Sequence, residues 1–393
     1  MTFVSPPALR HPGFRLWFAA AVPFVLSLWA MRVIFGWLAW ELSRDAGFVG
    51  LVAALGLVPI VVAGPVFGAL VDRVDVTWAL RLSSGSMAAV TAAAAVAQGA
   101  GVMGEDLLCA LALALGLATA MHHPVRMSLG PRLVPPGAAV ASVVALGAVN
   151  FNVARLVSPV ATGAALVVWG AAPTLMLAAV GMAPLGLVAG RLHPRPLDRP
   201  RTGALGAAMR EGVAHVLRAA PLRRAFALTA LMSVVLRGYL ELLPVMASGV
   251  HERGAEGLGL LTAASGAGAL LAAAGRTGGA RGGVVPALLA GMAVMAGIGM
   301  WTSWAAALAG TALVGAASTW CGVGLQQAVQ DALPDDLRGR VMSLWVVAAL
   351  GAVALGAGLL GVLAQAVGLP AACVVGGVAG VALALPFVRG RTT

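Results

Sequence analysis

Four ionisable side chains, Arg32, Arg155, Arg237 and Glu241, each fall well inside a long apolar stretch of the chain. A charge at such a position is costly to take out of water and normally faces a bundle interior or an aqueous cavity. Arg237 and Glu241 are four residues apart, which puts them on one helical face. Two readings follow from that spacing. Either the pair is a buried ion pair that ties helices together, or it lines a pathway in which the carboxylate takes up and releases a proton. Glu241 is the one carboxylate placed well within an apolar stretch, so it is the expected proton-coupling residue. The four charges sum to +2. That balance favours an anionic ligand, such as a carboxylate or phenolate, with Arg32, Arg155 and Arg237 as its contacts.

Polar residues elsewhere in the apolar stretches add to this set. Asn150 and Asn152 precede Arg155 by one to two helical turns. An asparagine in a membrane span bonds across helices or to a substrate, and both readings stay open. Pro159 and Gly163 permit a bend and close packing in a helix that must rock. Gly64, Gly68 and Asp72 are spaced four apart, followed by Arg73. The glycines share one face and are expected to allow close helix contact. Asp72 would then cap or pair with a neighbour and hold one conformational state. His122 and His123, before Pro124, read as interface residues at a helix end, since adjacent histidines do not present one metal-binding face. Cys109, Cys321 and Cys373 are far apart and apolar in context, so they read as small buried hydrophobes. No metal motif, disulfide framework or cofactor fingerprint is expected.

The elements that must position these residues are membrane helices. Crossing a hydrocarbon layer of about 30 Å takes about 20 residues of helix. Twelve such stretches can be drawn, at 15–39, 47–70, 78–99, 107–122, 138–162, 170–190, 223–247, 257–275, 284–301, 304–323, 341–366 and 369–388. Between the ninth and tenth, Trp301 to Trp304 leave room for only a very tight turn, with the two indoles suited to a lipid–water interface. The first apolar run is too long for a cleavable signal segment, and a second span follows it at once.

Composition supports this reading and excludes others. Of the 393 residues, 60% are hydrophobic and 10% charged, against about a quarter charged in soluble domains. All 25 basic residues are arginine, and they recur between apolar runs, so they form no nucleic-acid surface. With the N-terminus placed in the cytoplasm, 20 arginines fall in inside segments and two, Arg44 and Arg253, in outside loops. This is the positive-inside pattern, and it places both termini in the cytoplasm across a bacterial-type plasma (inner) membrane. The longest polar stretch, Arg191 to Arg224, contains an amphipathic segment from Ala204 to Ala219 and divides the chain near its middle. The expected organisation is a six-helix bundle over 1–190, a cytoplasmic linker over 191–222 and a second six-helix bundle over 223–393. A faint internal echo fits duplication: Ala145 to Val149 and Ala349 to Val353 share one sequence, each after a proline, Pro135 and Pro334.

Several motifs resemble those of the major facilitator superfamily, specifically its transmembrane secretion-effector branch, which includes enterobactin exporters. They are the opening Phe14 to Trp17, the later Arg32, Trp37, Trp40, Glu41 and Leu42, the loop Gly68-x3-Asp72-Arg73-Val74-Asp75, the fifth-helix pattern Asn150, Arg155, Pro159 and Gly163, and the run Arg338 to Leu344. The resemblance covers essentially the whole chain. It implies an all-α membrane protein with twelve transmembrane helices in two six-helix bundles. It also implies that Gly68, Asp72 and Arg73 belong to a conformational gate, with Pro159 and Gly163 in a helix associated with export. Where the family's loop usually carries a basic pair, this chain has Val76 and Thr77.

From these residues the expected activity is secondary active transport by alternating access, most simply proton-coupled export of a small natural product, drug or siderophore. Movement of lipid or lysophospholipid, and small-molecule import, are the transport alternatives. An integral-membrane enzyme is a remote one, because no nucleophile or metal arrangement accompanies the spans. The expected partners are a small substrate, anionic on the charge balance above, protons and membrane lipids, for a chain acting as a monomer without a cofactor.

Overall fold

Lipid offers no partner for an open backbone edge, so apolar stretches of this length satisfy their peptide groups internally, as helices. The computed structural model describes residues 6–71, 73–196, 205–277 and 283–388. Among them the chain is entirely helical. The helices are α1 (Pro12–Ser43), α2 (Ala46–Val71), α3 (Val76–Gly99), α4 (Glu105–Arg132), α5 (Ala138–Trp169), α6 (Ala171–Val188), α7 (Leu205–Arg218), α8 (Ala220–Met232), α9 (Gly238–Glu241), α10 (Gly254–Thr277), α11 (Val284–Ile298), α12 (Trp304–Asp331), α13 (Asp335–Val367) and α14 (Leu369–Ala384). Ten of the described helices are long and apolar enough to cross a membrane. A bent pair running from Arg210 to Glu241 makes an eleventh if it is counted as one span, and Val284–Ile298 is a shorter apolar helix.

Within the first half, α3 packs on α6, α2 on α4, and α1 on both α5 and α6. The second half repeats the scheme with α11 on α14 and α10 on α12. Across the halves, α2 packs on α13 and α5 on α10. Because successive helices are joined by short turns, the arginines gather at one end of the assembly, near the start of α1 and the end of α2. That end is called the arginine-rich end below, and the other the arginine-poor end.

The structure departs from the sequence expectations at two elements. The stretch drawn at 107–122 is a helix that continues through Pro124 and Pro131 to Arg132, so His122 is not at a helix end. A proline costs a hydrogen bond, yet packed neighbours in a membrane bundle make the loss tolerable. His122 is buried, its ring stacked 4.3 Å from Phe24 and its Nδ1 3.2 Å from the Ser83 hydroxyl. The stretch drawn at 223–247 is broken. A π-helical turn over Ser233–Arg237 precedes α9, and a second follows over Val245–Val250. Such turns gather where a helix is bent to serve a site, and this one carries Arg237 and Glu241.

Candidate functional site

Glu241 sits at the C-terminal end of α9 and forms an ion pair with Arg32 of α1, so the bond joins the two halves of the chain. It does not pair with Arg237, although the two are one turn apart. One carboxylate faces two guanidinium groups, and the partner it takes lies across the interface. Arg237 instead runs alongside α12, where a Cβ placed on Gly322 would lie 2.9 Å from its Nη2. Of the two readings open for Arg237 and Glu241, the ion pair between them is not formed, and Glu241 pairs across the halves instead. The Glu241 side chain is 13% exposed and that of Arg32 47%, so the pair is reached from the arginine side.

Arg155 of α5 completes the cluster, lying within electrostatic range of both Arg32 and Arg237. The three arginines and Glu241 thus occupy one region of the molecule. Between them stands a residue that the sequence analysis did not single out. Trp29 has the Arg32 guanidinium 5.3 Å and the Arg155 guanidinium 5.8 Å from its ring centroid. Phe151 meets the same indole edge-on at 5.4 Å, and the indole Nε1 is buried without a hydrogen-bond partner among the described residues. A cation over an indole face is attracted by the ring quadrupole, so the ring offsets part of the repulsion between the two arginines. Helical spacing carried the signal: Trp29 precedes Arg32 by three residues and Phe151 precedes Arg155 by four.

The two asparagines separate in role. Asn150 donates from Nδ2 to the Ala21 carbonyl at 3.3 Å, fastening α5 to α1. Ser158 does the same two turns on, donating to the Leu26 carbonyl at 2.7 Å. Asn152 bonds back to the Ala148 carbonyl of its own helix at 2.8 Å. Neither asparagine contacts Glu241.

The halves pack closely at the arginine-poor end. A Cβ on Gly163 would lie 2.7 Å from the Ala255 carbonyl oxygen, and one on Gly259 would lie 2.7 Å from that of Pro159. On the other side of the interface, a Cβ on Gly361 would meet the Ala46 carbonyl oxygen at 2.8 Å. Pro244 presses on Gly36 and Trp40 on Gly249, at 2.8 and 2.7 Å by the same construction. Small residues let backbones approach this closely, which is how helices associate in lipid. Beyond them, Gln365 donates from Nε2 to the Asp45 carboxylate at 2.5 Å.

The same two helices behave differently toward the arginine-rich end. Around Gly64 and Gly68 of α2 and Gly147 of α5, nothing lies within 4 Å of where a Cβ would stand. The close contact expected at Gly64 and Gly68 is therefore absent in this conformation. Arg73 is exposed, and Asp72 lies outside the described residues. Asp75 accepts from the Trp78 N–H at 2.7 Å and starts α3. Bonds from the Thr77 hydroxyl and then the Trp78 N–H hold the Asp75 carboxyl below its ordinary value of 3.8. Glycines of the two helices thus meet backbone toward the arginine-poor end and open space toward the arginine-rich end.

Comparisons with known proteins agree with this architecture. A family model described as transmembrane secretion effector matches residues 4–391. The uncharacterized MFS-type transporter y4rN of Sinorhizobium fredii (strain NBRC 101917 / NGR234) is 28% identical over 266 residues, covering 66% of this chain and 62% of that protein. The match thus spans less than two thirds of the relative's length. Among solved structures, the nucleoside transporter NupG superposes with a TM-score of 0.75 at 12% identity, over 96% of this chain and 98% of that one. A bacterial homologue of the human lysosomal transporter Spinster, in an inward-facing and occupied conformation, gives 0.77 at 13% identity over 98% of both chains. These structural likenesses show the fold, and all of these relatives are transporters.

Proposed function

Because the chain belongs to the transmembrane secretion effector family of major facilitator transporters, we propose that it exports a small anionic molecule in exchange for protons, by alternating access. In this reading the chain has twelve spans in two six-helix bundles, residues 1–190 and 223–393, joined by a linker over 191–222. The arginine-rich end lies in the cytoplasm of a bacterial-type cell, as the positive-inside pattern favours, with both termini there. The structure then corresponds to the state that loads substrate from inside.

The observation that carries the proposal is the Arg32–Glu241 ion pair, which joins the two halves inside an arginine cluster. In this cycle the substrate enters from inside while Glu241 is ionised: its anionic group meets Arg32, Arg155 and Arg237 beside the flat face of Trp29, and a substrate hydroxyl or N–H donates to the Glu241 carboxylate. On the outside, a proton taken up by Glu241 removes that acceptor and releases the substrate. The protonated carrier returns, and the proton leaves to the inside as the Arg32–Glu241 pair re-forms. Proton and substrate occupancy are linked in this way, which any driven exchange requires. Gly68, Asp72 and Arg73 would close the arginine-rich end in the opposite state, while Pro159 and Gly163 seal the other end in this one.

The test compares small molecules inside and outside host cells with the gene deleted, restored, or restored as Glu241→Gln. The expected result is a compound that accumulates inside on deletion, is cleared by the wild type and is not cleared by the variant. A medium component that ceases to enter on deletion would make the protein an importer. Full clearance by the Gln variant would remove Glu241 from the coupling role.

A further inference from the structure

The linker helix α7 is amphipathic and does not lie free. It packs on α8 and α13 and leaves beside them a groove of about 270 Å³. The groove is lined by Val213 and Leu217 of α7, Phe226 of α8, and Leu344 and Val347 of α13, with Val216 and Ala348 completing it. Every lining side chain is apolar. Val213 and Leu217 remain 43% and 61% exposed, an arrangement that water alone would penalise.

The rim has the opposite character. Arg210 shares a helical face with Val213 and Leu217, and Arg218 is the next residue after Leu217. Arg223 donates from Nη1 to the Leu217 carbonyl at 2.6 Å, which fixes its guanidinium at the edge of the groove. All three arginines are exposed, and among the described residues none of them forms an ion pair. An apolar floor with a guanidinium rim at the end of a membrane bundle matches one chemistry: an acyl chain attached to a phosphate.

We propose that this groove is a resident site for an anionic glycerophospholipid, with an acyl chain against Phe226, Leu344 and Val347 and the phosphate held by Arg210, Arg218 and Arg223. A second copy of the chain is disfavoured as the occupant, because its own arginine rim would face this one. Free phosphate would leave the apolar floor uncovered. The lipid here is a structural ligand that bridges the linker to the second half, distinct from any cargo of the arginine cluster, and the inference does not rest on the export reading.

Native mass spectrometry of the full chain, with phosphatidylglycerol and phosphatidylcholine of matched acyl chains, tests it. A surface arginine contributes about fivefold to anionic-lipid binding, so two contribute about thirtyfold. R210Q/R218Q should therefore lower the wild-type preference for phosphatidylglycerol over phosphatidylcholine about thirtyfold, leaving only the contribution of Arg223. Both positions are exposed, so the double variant should fold. Ala348→Trp, which fills the groove, should lose bound phosphatidylglycerol, and a thermal scan should show that the lipid stabilises the wild type but not this variant. Equal retention of the two lipids by the wild type would overturn the proposal. So would an undiminished preference in R210Q/R218Q, or displacement of the lipid by inorganic phosphate alone.

Discussion

Glu241 reaches across the interface to Arg32 and leaves Arg237, its neighbour one turn back on the same helix, without the ion pair. The carboxylate thereby spends its charge on the contact between the halves. Removing either partner leaves a charge in a partly desolvated setting, whereas removing both does not. A double-mutant cycle over Arg32→Gln and Glu241→Gln should give a coupling energy of about 2 kcal/mol. Denaturation in detergent, followed by circular dichroism, measures it. A coupling near zero would mean that the pair contributes nothing to the stability of this conformation.

Trp29 carries two guanidinium groups, of Arg32 and Arg155, over its ring. Trp29→Ala should weaken substrate binding about tenfold or more, because it removes an aromatic face and increases repulsion between the guanidinium groups. Trp29→Phe should recover part of the loss, as phenylalanine keeps a weaker quadrupole and no N–H. Titration calorimetry with the exported compound, once identified, provides the measurement. Equal affinity in all three proteins would place the substrate away from the indole.

Gly163 and Gly259 meet backbone to backbone at the arginine-poor end. Gly163→Val would force α5 from α10, while Gly64→Val would meet open space in this conformation. The first variant should shift the population toward opening of the arginine-poor end, and the second should hinder closure of the other end. Accessibility of a reporter cysteine at each end reads both. The Gly163 variant should raise labelling at the arginine-poor end severalfold, and unchanged labelling would show that the seal lies elsewhere.

Asp75 is the N-cap of α3, and its bonds to Thr77 and Trp78 favour the ionised form. Its folded value lies below its unfolded one, so its contribution to stability is fully present above the unfolded value of about 3.8. The contribution is lost as pH falls through the lower folded value. Asp75→Ala should therefore cost about 1 kcal/mol at neutral pH, typical of a lost cap. The difference from the wild type should shrink in strong acid, as melting temperatures measured across pH would show.

Much of this architecture was legible in the sequence because lipid is a severe solvent. Long apolar stretches had to be helices, and the tight turn between Trp301 and Trp304 and the amphipathic piece at 205–218 both followed from residue type alone. Arg32, Arg155, Arg237 and Glu241 stood out because ionisable groups inside apolar stretches have few explanations, and the fold brings them to one region. Which arginine Glu241 would choose was not legible. Spacing reports neighbours on one helix, while the partner taken comes from a segment more than two hundred positions away. The extent of α4 was missed for a related reason: prolines normally stop helices, and only the packing of neighbouring helices excuses Pro124 and Pro131. Gly64 and Gly68 announced close contact, yet spacing shows only that two glycines share a face, not that a neighbour lies against it.

The seal at the arginine-poor end consists largely of glycines laid against carbonyl oxygens. Dispersion between such surfaces fades within a fraction of an ångström, and a gap of about 0.5–1 Å forfeits a quarter to a half of it. In the proposed cycle such a seal would loosen over a very short separation of the halves. Tightness during switching would then be a property of bare backbone.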